Sequence, residues 1–193
     1  MIDKVQELLF RADFFMNSYR QLRSAYLHNK PSDVAAKNQY INLPLANLTV
    51  LNANLYFFEA VSCLASLLRE FKSGSDRNEI SFSELADRLS GTAKEAFQTK
   101  VSNVFAEYKN SDIKDIRDKF VDHKDPTLSG DPSATFINFR AEEVVDSCCN
   151  LIDKLKQMYQ EYFPERNSNN YFSDYYSDGV DEFVQILNER LRK

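Results

Sequence analysis

Apolar residues recur every three or four positions along most of the chain, which is the spacing of side chains on one face of an α-helix. Polar stretches that contain proline, glycine or serine separate these stripes. The stripes predict helices over residues 2 to about 28, about 48 to 72, 81 to about 89, 92 or 93 to 108, 112 to about 124, 140 to 163, and 180 to 191. We therefore expect an all-α fold, an antiparallel helical bundle of five or six main helices in one domain over residues 1–193.

Several helix ends carry local signals. Ser81 and Glu84 have the spacing of a capping box, and Gly91 is placed to stop the short helix that follows them. Pro164 ends the last long helix. Residues 38–45 contain a proline and little periodicity, so we predict an irregular connection there.

The predicted helix from about residue 48 to 72 is apolar around most of its circumference. Such a helix requires burial on several sides. It would lie at the centre of the bundle or, as the alternative, form an interface between subunits.

The region after the last long helix is rich in asparagine, serine and tyrosine. We predict a polar and aromatic loop over residues 163–178, followed by a closing C-terminal helix. The aromatic side chains of this loop could stack on nucleic-acid bases or anchor a partner, or they could pack back onto the bundle.

Composition restricts the function. The net charge of −5 gives no general attraction for nucleic acid or a membrane, so any RNA contact must be local. The four glycines are scattered, and two histidines without spaced cysteine pairs provide no zinc motif, so we expect no cofactor and no metal. The cysteines Cys63, Cys148 and Cys149 agree with a reducing compartment, the last two as small core-side residues. Without a leader pattern or an apolar run of 18 residues, we expect a cytoplasmic protein that does not enter a membrane.

One short stretch places an arginine and a histidine near a predicted helix end. Ser111 or Asp112 can cap this helix, and Pro126 prevents its continuation, so His123 falls in the last turn or just beyond it. The negative helix end would raise the proton affinity of that histidine. Arg117 and His123 would lie about 9 Å apart along the axis. One helix would not easily direct both at one phosphate, whereas a two-fold dimer could bring two copies together.

The pattern Arg117-Asp118-x4-His123-Lys124-Asp125 resembles the arginine, polar residue and histidine signature of the HEPN superfamily, and its end is similar to the abortive-infection branch in bacteria. The resemblance extends over about residues 112 to 126. It implies a HEPN-like helical bundle, usually a homodimer in which two motifs face each other. In active members it implies RNA cleavage without a metal.

For this chain the resemblance implies that His123 acts as general base on a ribose 2′-hydroxyl, that Arg117 stabilises the phosphorane charge, and that Asp118 orients the pair. The expected function is a metal-independent endoribonuclease that leaves 2′,3′-cyclic phosphate ends and acts as a toxin or phage-defence effector. RNA and a cognate antitoxin protein would be its partners.

The residues leave a second function open, a non-catalytic HEPN-like module that binds a partner protein or a nucleotide. Around the motif four cations stand against five aspartates, a net charge of −1 that is poor for holding a polyanion. Phosphate contacts would come from Lys119 and Lys124, and from Arg20 and Arg23 on the modestly basic first helix. The pattern of that helix favours an ordinary solvated face as the alternative. The pair Arg23 and His28 is a second match to the arginine–histidine spacing.

Overall fold

The computed structural model describes residues 2–29, 43–68, 81–118, 140–166, 181–186 and 189. The α-helices in these ranges are α1 (Ile2–Asn29), α2 (Leu43–Leu67), α3 (Phe82–Leu85), α4 (Gly91–Lys109), α5 (Asp112–Ile116) and α6 (Glu142–Tyr162). Single 3₁₀ turns at Ala86–Arg88 and Pro164–Arg166 follow α3 and α6, and residues 181–186 are helical. The prediction of an all-α helical bundle is confirmed.

The largest helix contact joins α1 and α2. Tyr19 of α1 lies 5.3 Å from Phe57 between ring centroids, and Phe15 stacks on Tyr56 at 5.9 Å. One face of α1 is buried at intervals of three or four residues, as its apolar stripe predicts. The buried residues of that face are Val5, Leu9, Ala12, Met16, Tyr19, Leu22 and Ala25.

Helix α6 contacts α1, α2, α4 and α5, and therefore joins the two halves of the bundle. Its side chains near the C-terminal end meet the start of α1, where the Tyr159 hydroxyl lies 3.4 Å from Gln6 Oε1. Its middle meets the end of α4, where Lys154 pairs with Glu107. The ion pairs Asp13–Lys156 and Arg23–Glu142 show that α1 and α6 run in opposite directions. The pairs Lys100–Glu161 and Glu107–Lys154 show the same for α4, so α6 is antiparallel to both neighbours.

An aromatic cluster closes the bundle where α3, α4 and the end of α6 meet. Phe97 of α4 is fully buried at its centre. Its ring stacks on Phe82 at 6.2 Å and meets Tyr162 edge-on at 5.0 Å. Phe163, the C-cap of α6, lies 6.1 Å from the same ring. Pro164 follows directly, so the predicted end of this helix is confirmed.

The predicted start of the most apolar helix is wrong. Helix α2 begins at Leu43, so part of the predicted irregular connection over residues 38–45 is helical. Pro44 is the second helical residue, a position where the missing N–H would have no intrahelical acceptor and the fixed φ already suits a helix. The helix ends at Leu67 instead of residue 72, with Leu68 in a turn.

Helix α2 is largely a core element, with Phe57, Val61 and Leu64 fully buried. An outward stripe remains exposed at Leu48, Leu51 and Leu55, which keep 48%, 39% and 48% of their accessible surface. In the described chain, one helical window, Leu48–Leu67, is long and apolar enough to cross a membrane by length and composition alone. More than half of that window is buried inside the protein, as in the core helix of a soluble bundle.

The capping-box prediction is only half right. Ser81 is the N-cap of α3, but its side chain makes no capping hydrogen bond, and its carbonyl oxygen accepts from the Glu84 N–H at 3.3 Å. Gly91 does not stop this helix as predicted; it is the first residue of α4, one or two positions before the predicted start. Its φ of +57° explains the glycine, because side chains strain this conformation.

Other predictions fall partly outside the described residues. Cys63 and Cys148 are buried and Cys149 is half-buried, all three as free thiols, in agreement with small core-side residues. The aromatic loop over residues 163–178 is described only as far as 166. The closing helix is described at 181–186, where Phe183 and Val184 pack against the core.

Candidate functional site

Helix α5 carries the arginine of the predicted motif at its C-terminal end. Ser111 is its N-cap residue, but the hydroxyl donates a 2.7 Å hydrogen bond to the Tyr108 carbonyl of the preceding turn and does not cap α5. Ile113 is fully buried and Ile116 packs against the same core, which fixes α5 on α4 and α6. Arg117 is therefore attached to an anchored helix, and the rest of the predicted helix, after residue 118, lies outside the described residues.

Asp118 accepts hydrogen bonds from two cations. Lys114 Nζ lies 2.7 Å from Oδ2 and Arg117 Nη1 lies 3.0 Å from Oδ1. The hydrogen bond from Lys114 is the main cause that holds the pKa of Asp118 below its usual value, with a smaller contribution from Arg117. The same bond raises the pKa of Lys114. The carboxylate is therefore ionised at neutral pH and holds the guanidinium beside it.

The contact between Arg117 and Asp118 is a surface ion pair. Their side chains keep 28% and 34% of their accessible surface, so water screens the attraction. Pairs of this exposure contribute about 0.2–1 kcal/mol. A phosphate that accepts two hydrogen bonds from a guanidinium competes easily with so weak a contact. The pair thus helps to orient Arg117.

The other predicted residues of the motif, Lys119, His123 and Lys124, lie outside the described residues. The described geometry therefore includes the arginine of the motif and not its histidine. His28 lies in the last turn of α1, and its side chain is also outside the described part.

Arg20 and Arg23, the predicted phosphate contacts of the first helix, lie in the C-terminal third of α1. Arg20 is exposed, and its charge acts on the Cys149 thiol of α6. Arg23 is mostly buried and forms an ion pair with Glu142, the first residue of α6. Arg23 is therefore already engaged in holding two helices together, whereas Arg20 faces solvent.

Helix α5 and the basic part of α1 both contact α6. Glu107, near the end of α4, pairs with Lys154, and α5 follows α4 and contacts α6. Arg23 reaches Glu142 at the beginning of that helix. Helix α5 and the basic part of α1 thus both pack on α6.

A polar contact that the sequence did not reveal lies at the same end of the bundle. The Arg140 backbone N–H donates a 2.9 Å hydrogen bond to the Tyr19 hydroxyl, and the Arg140 guanidinium lies 5.1 Å from the centre of the Phe58 ring. Burial raises the pKa of Tyr19 and lowers that of Arg140. The available signal was a tyrosine within the apolar stripe of α1, since a buried hydroxyl needs a hydrogen-bond partner.

The described side chains contain no group of three or more His, Cys, Asp or Glu that could hold a metal ion. The carboxylate of Asp118, within the motif, accepts hydrogen bonds from Lys114 and Arg117.

Comparison with known proteins returned no match among protein-family models, curated proteins or solved structures. The class that the coordinates define is an all-α helical bundle. Function must therefore be argued from the residues themselves.

Proposed function

We propose that the chain is a metal-independent endoribonuclease of the HEPN type, acting as a toxin or phage-defence effector. The observation that carries the proposal is Arg117, which is anchored through α5 and held by a weak ion pair with Asp118. A guanidinium at the end of an anchored helix that keeps 28% of its side-chain surface accessible can donate hydrogen bonds to a phosphate.

In the proposed reaction His123 removes the proton from a ribose 2′-hydroxyl, and the oxygen attacks the adjacent phosphorus. Arg117 donates hydrogen bonds to the non-bridging oxygens as negative charge develops on them. The bond to the 5′-oxygen breaks, and that oxygen leaves with a proton from the imidazolium or from water. The products are a 2′,3′-cyclic phosphate and a 5′-hydroxyl. Asp118 would act as a positioning residue.

The first experiment is cleavage of a mixed RNA pool in EDTA by the purified wild type, Arg117→Ala and His123→Ala, with analysis of the product ends. Lys94→Ala is the matched control, because it removes a cation of α4 that pairs with Asp87 and that the mechanism does not use. We expect cyclic phosphate ends from the wild type and the control only. Equal activity in all variants would assign the cleavage to a contaminant, and equal inactivity would refute the proposed function.

A second candidate is the non-catalytic module that binds a partner protein or a nucleotide. The observation in its favour is local charge, since Lys114 and Arg117 are outweighed by Asp112, Asp115 and Asp118 within the described part of the motif. Such a surface attracts RNA weakly. Binding of a nucleotide by a wild type that cleaves no RNA, unchanged in His123→Ala, would favour this candidate.

A further inference from the structure

Helices α4 and α6 border a surface groove of about 320 Å³, framed by four charged side chains. At one end Lys100 Nζ lies 2.6 Å from both carboxylate oxygens of Glu161. At the other end Lys154 Nζ lies 2.7 and 2.6 Å from the two oxygens of Glu107. Each helix thus contributes one lysine and one glutamate, and both ion pairs cross the groove.

Between the two ion pairs, the two helices line the groove with the same order of residue types. On α4 the groove is lined by Asn103 and Val104, and on α6 by Gln157 and Met158. In each helix the order is lysine, carboxamide, apolar residue and glutamate, at spacings of three, one and three residues. Val104 and Met158 are both 5% exposed and form the floor, while the two carboxamides reach solvent. A local quasi-two-fold axis therefore passes through the groove.

Because α4 and α6 are antiparallel, the four charges alternate around the rectangle that the groove defines. Lys100 and Lys154 occupy one diagonal, and Glu107 and Glu161 the other. A second copy can be placed face to face with the first by a two-fold rotation. If the rotation axis runs along or across the helices, each lysine of one copy lies opposite a glutamate of the other at all four corners. If the axis follows a diagonal of the rectangle, the helices of the two copies cross at right angles and like charges lie opposite each other.

We propose that this groove is the contact surface of a two-fold homodimer, in which the α4–α6 pairs of two copies pack face to face as a four-helix bundle. The corner charges make the surface complementary to itself in that geometry and oppose a perpendicular crossing. The inference rests on the proposed function in one respect, because it gives a surface to the homodimer that the HEPN resemblance implies. The charge pattern itself is independent of RNA cleavage.

Other occupants fit the groove less well. Its charged residues sum to zero, which gives no attraction for a nucleic-acid backbone. A single partner helix laid along the groove would meet one lysine and one glutamate at each end, so its charges would find no preferred direction. A second copy of the chain is the occupant that places an opposite charge against each of the four charged side chains.

The test is sedimentation equilibrium of the full chain between about 5 and 200 μM, a range suited to dimers of moderate affinity. Two variants change the corners to one sign: Lys100→Glu with Lys154→Glu, and Glu107→Lys with Glu161→Lys. We expect the wild type to dimerise, each variant alone to lose at least tenfold in association, and an equimolar mixture of both variants to regain it. Wild-type association should also weaken as salt is raised, because salt screens exposed charges.

Two single substitutions keep the result decisive. Asn103→Arg places a bulky cation in the groove and leaves both ion pairs in place, so it should also abolish the dimer if the charge variants prove unfolded by circular dichroism. Leu51→Gln alters the exposed leucine stripe of α2 and should leave the dimer intact. A monomeric wild type, a dimer that tolerates Asn103→Arg, or a dimer lost only in Leu51→Gln would overturn the inference. Failure of the proposed function is distinguishable, because it shows as a dimer that cleaves no RNA.

Discussion

Replacement of Tyr19 by phenylalanine tests the hydrogen bond that links α1 to the residues just before α6. The Tyr19 side chain is fully buried, and its hydroxyl accepts the Arg140 backbone N–H at 2.9 Å. Phenylalanine retains the ring and its contact with Phe57. The variant therefore removes one hydrogen-bond acceptor with little loss of packing.

The expected cost follows from the burial of the two groups. A typical hydrogen bond contributes about 0.5–1.5 kcal/mol net, and a buried group that loses its partner costs about 1–3 kcal/mol. The Tyr19 hydroxyl is buried but Arg140 is only partly so. We therefore expect the free energy of unfolding to fall by about 1–2 kcal/mol. For a chain of this length that corresponds to a decrease in Tm of about 2–8 °C.

The assay is urea unfolding followed by circular dichroism, with Tyr159→Phe as the matched control. Tyr159 is also buried on α6, but its hydroxyl is 3.4 Å from Gln6 Oε1, a longer and weaker contact. Tyr19→Phe should cost at least twice as much as the control at an unchanged urea dependence. A loss no larger than that of Tyr159→Phe would refute the reasoning that the Arg140 contact stabilises the junction.

Further perturbations test the core and the thiols. Phe97→Ala removes the fully buried centre of the aromatic cluster and should lower the free energy of unfolding by about 3–5 kcal/mol in the same assay. Burial raises the pKa of the Cys63 thiol from 9.0 to about 11, so this thiol loses its proton at a lower pH in the unfolded chain than in the folded one. The free energy of unfolding should therefore fall as the pH rises from 9 to 11, and it should fall less steeply in Cys63→Ala. A thiol reagent should label half-buried Cys149 in the native protein, and the buried Cys148 only on unfolding; simultaneous labelling of both would contradict the described burial.

The long helices could be predicted because each carries a continuous apolar stripe. The stripe predicts the first helix over residues 2 to about 28, and the helix extends over Ile2–Asn29. The stripe of α6 is likewise buried as its spacing requires. The errors lie at helix ends, where one residue type permits two structures. Pro44 can interrupt a helix or sit in its first turn, and Gly91 can end one helix or begin the next.

The candidate site was less predictable, because its contacts join residues that are distant in sequence. The contact of Arg117 with Asp118 joins neighbours in the sequence, and the resemblance implied an orienting role for Asp118. The contact of Tyr19 with Arg140 and the pairing of Arg23 with Glu142 depend on how α1 packs against the start of α6. No local pattern specifies that packing, so these partners emerge only from the folded chain.

The proposed ribonuclease site and the proposed dimer surface both involve α5, but each can be refuted independently of the other. Helix α5 packs on both helices that border the groove, so a dimer formed there would bring a second Arg117 into the same assembly. A continuous helix would carry Arg117 and His123 about 9 Å apart along its axis, too far for both to contact one phosphate easily, and a second copy relieves that constraint. Cleavage by a strictly monomeric chain would remove this reason for the dimer. A stable dimer without cleavage would keep the charge complementarity and favour the binding module over the ribonuclease.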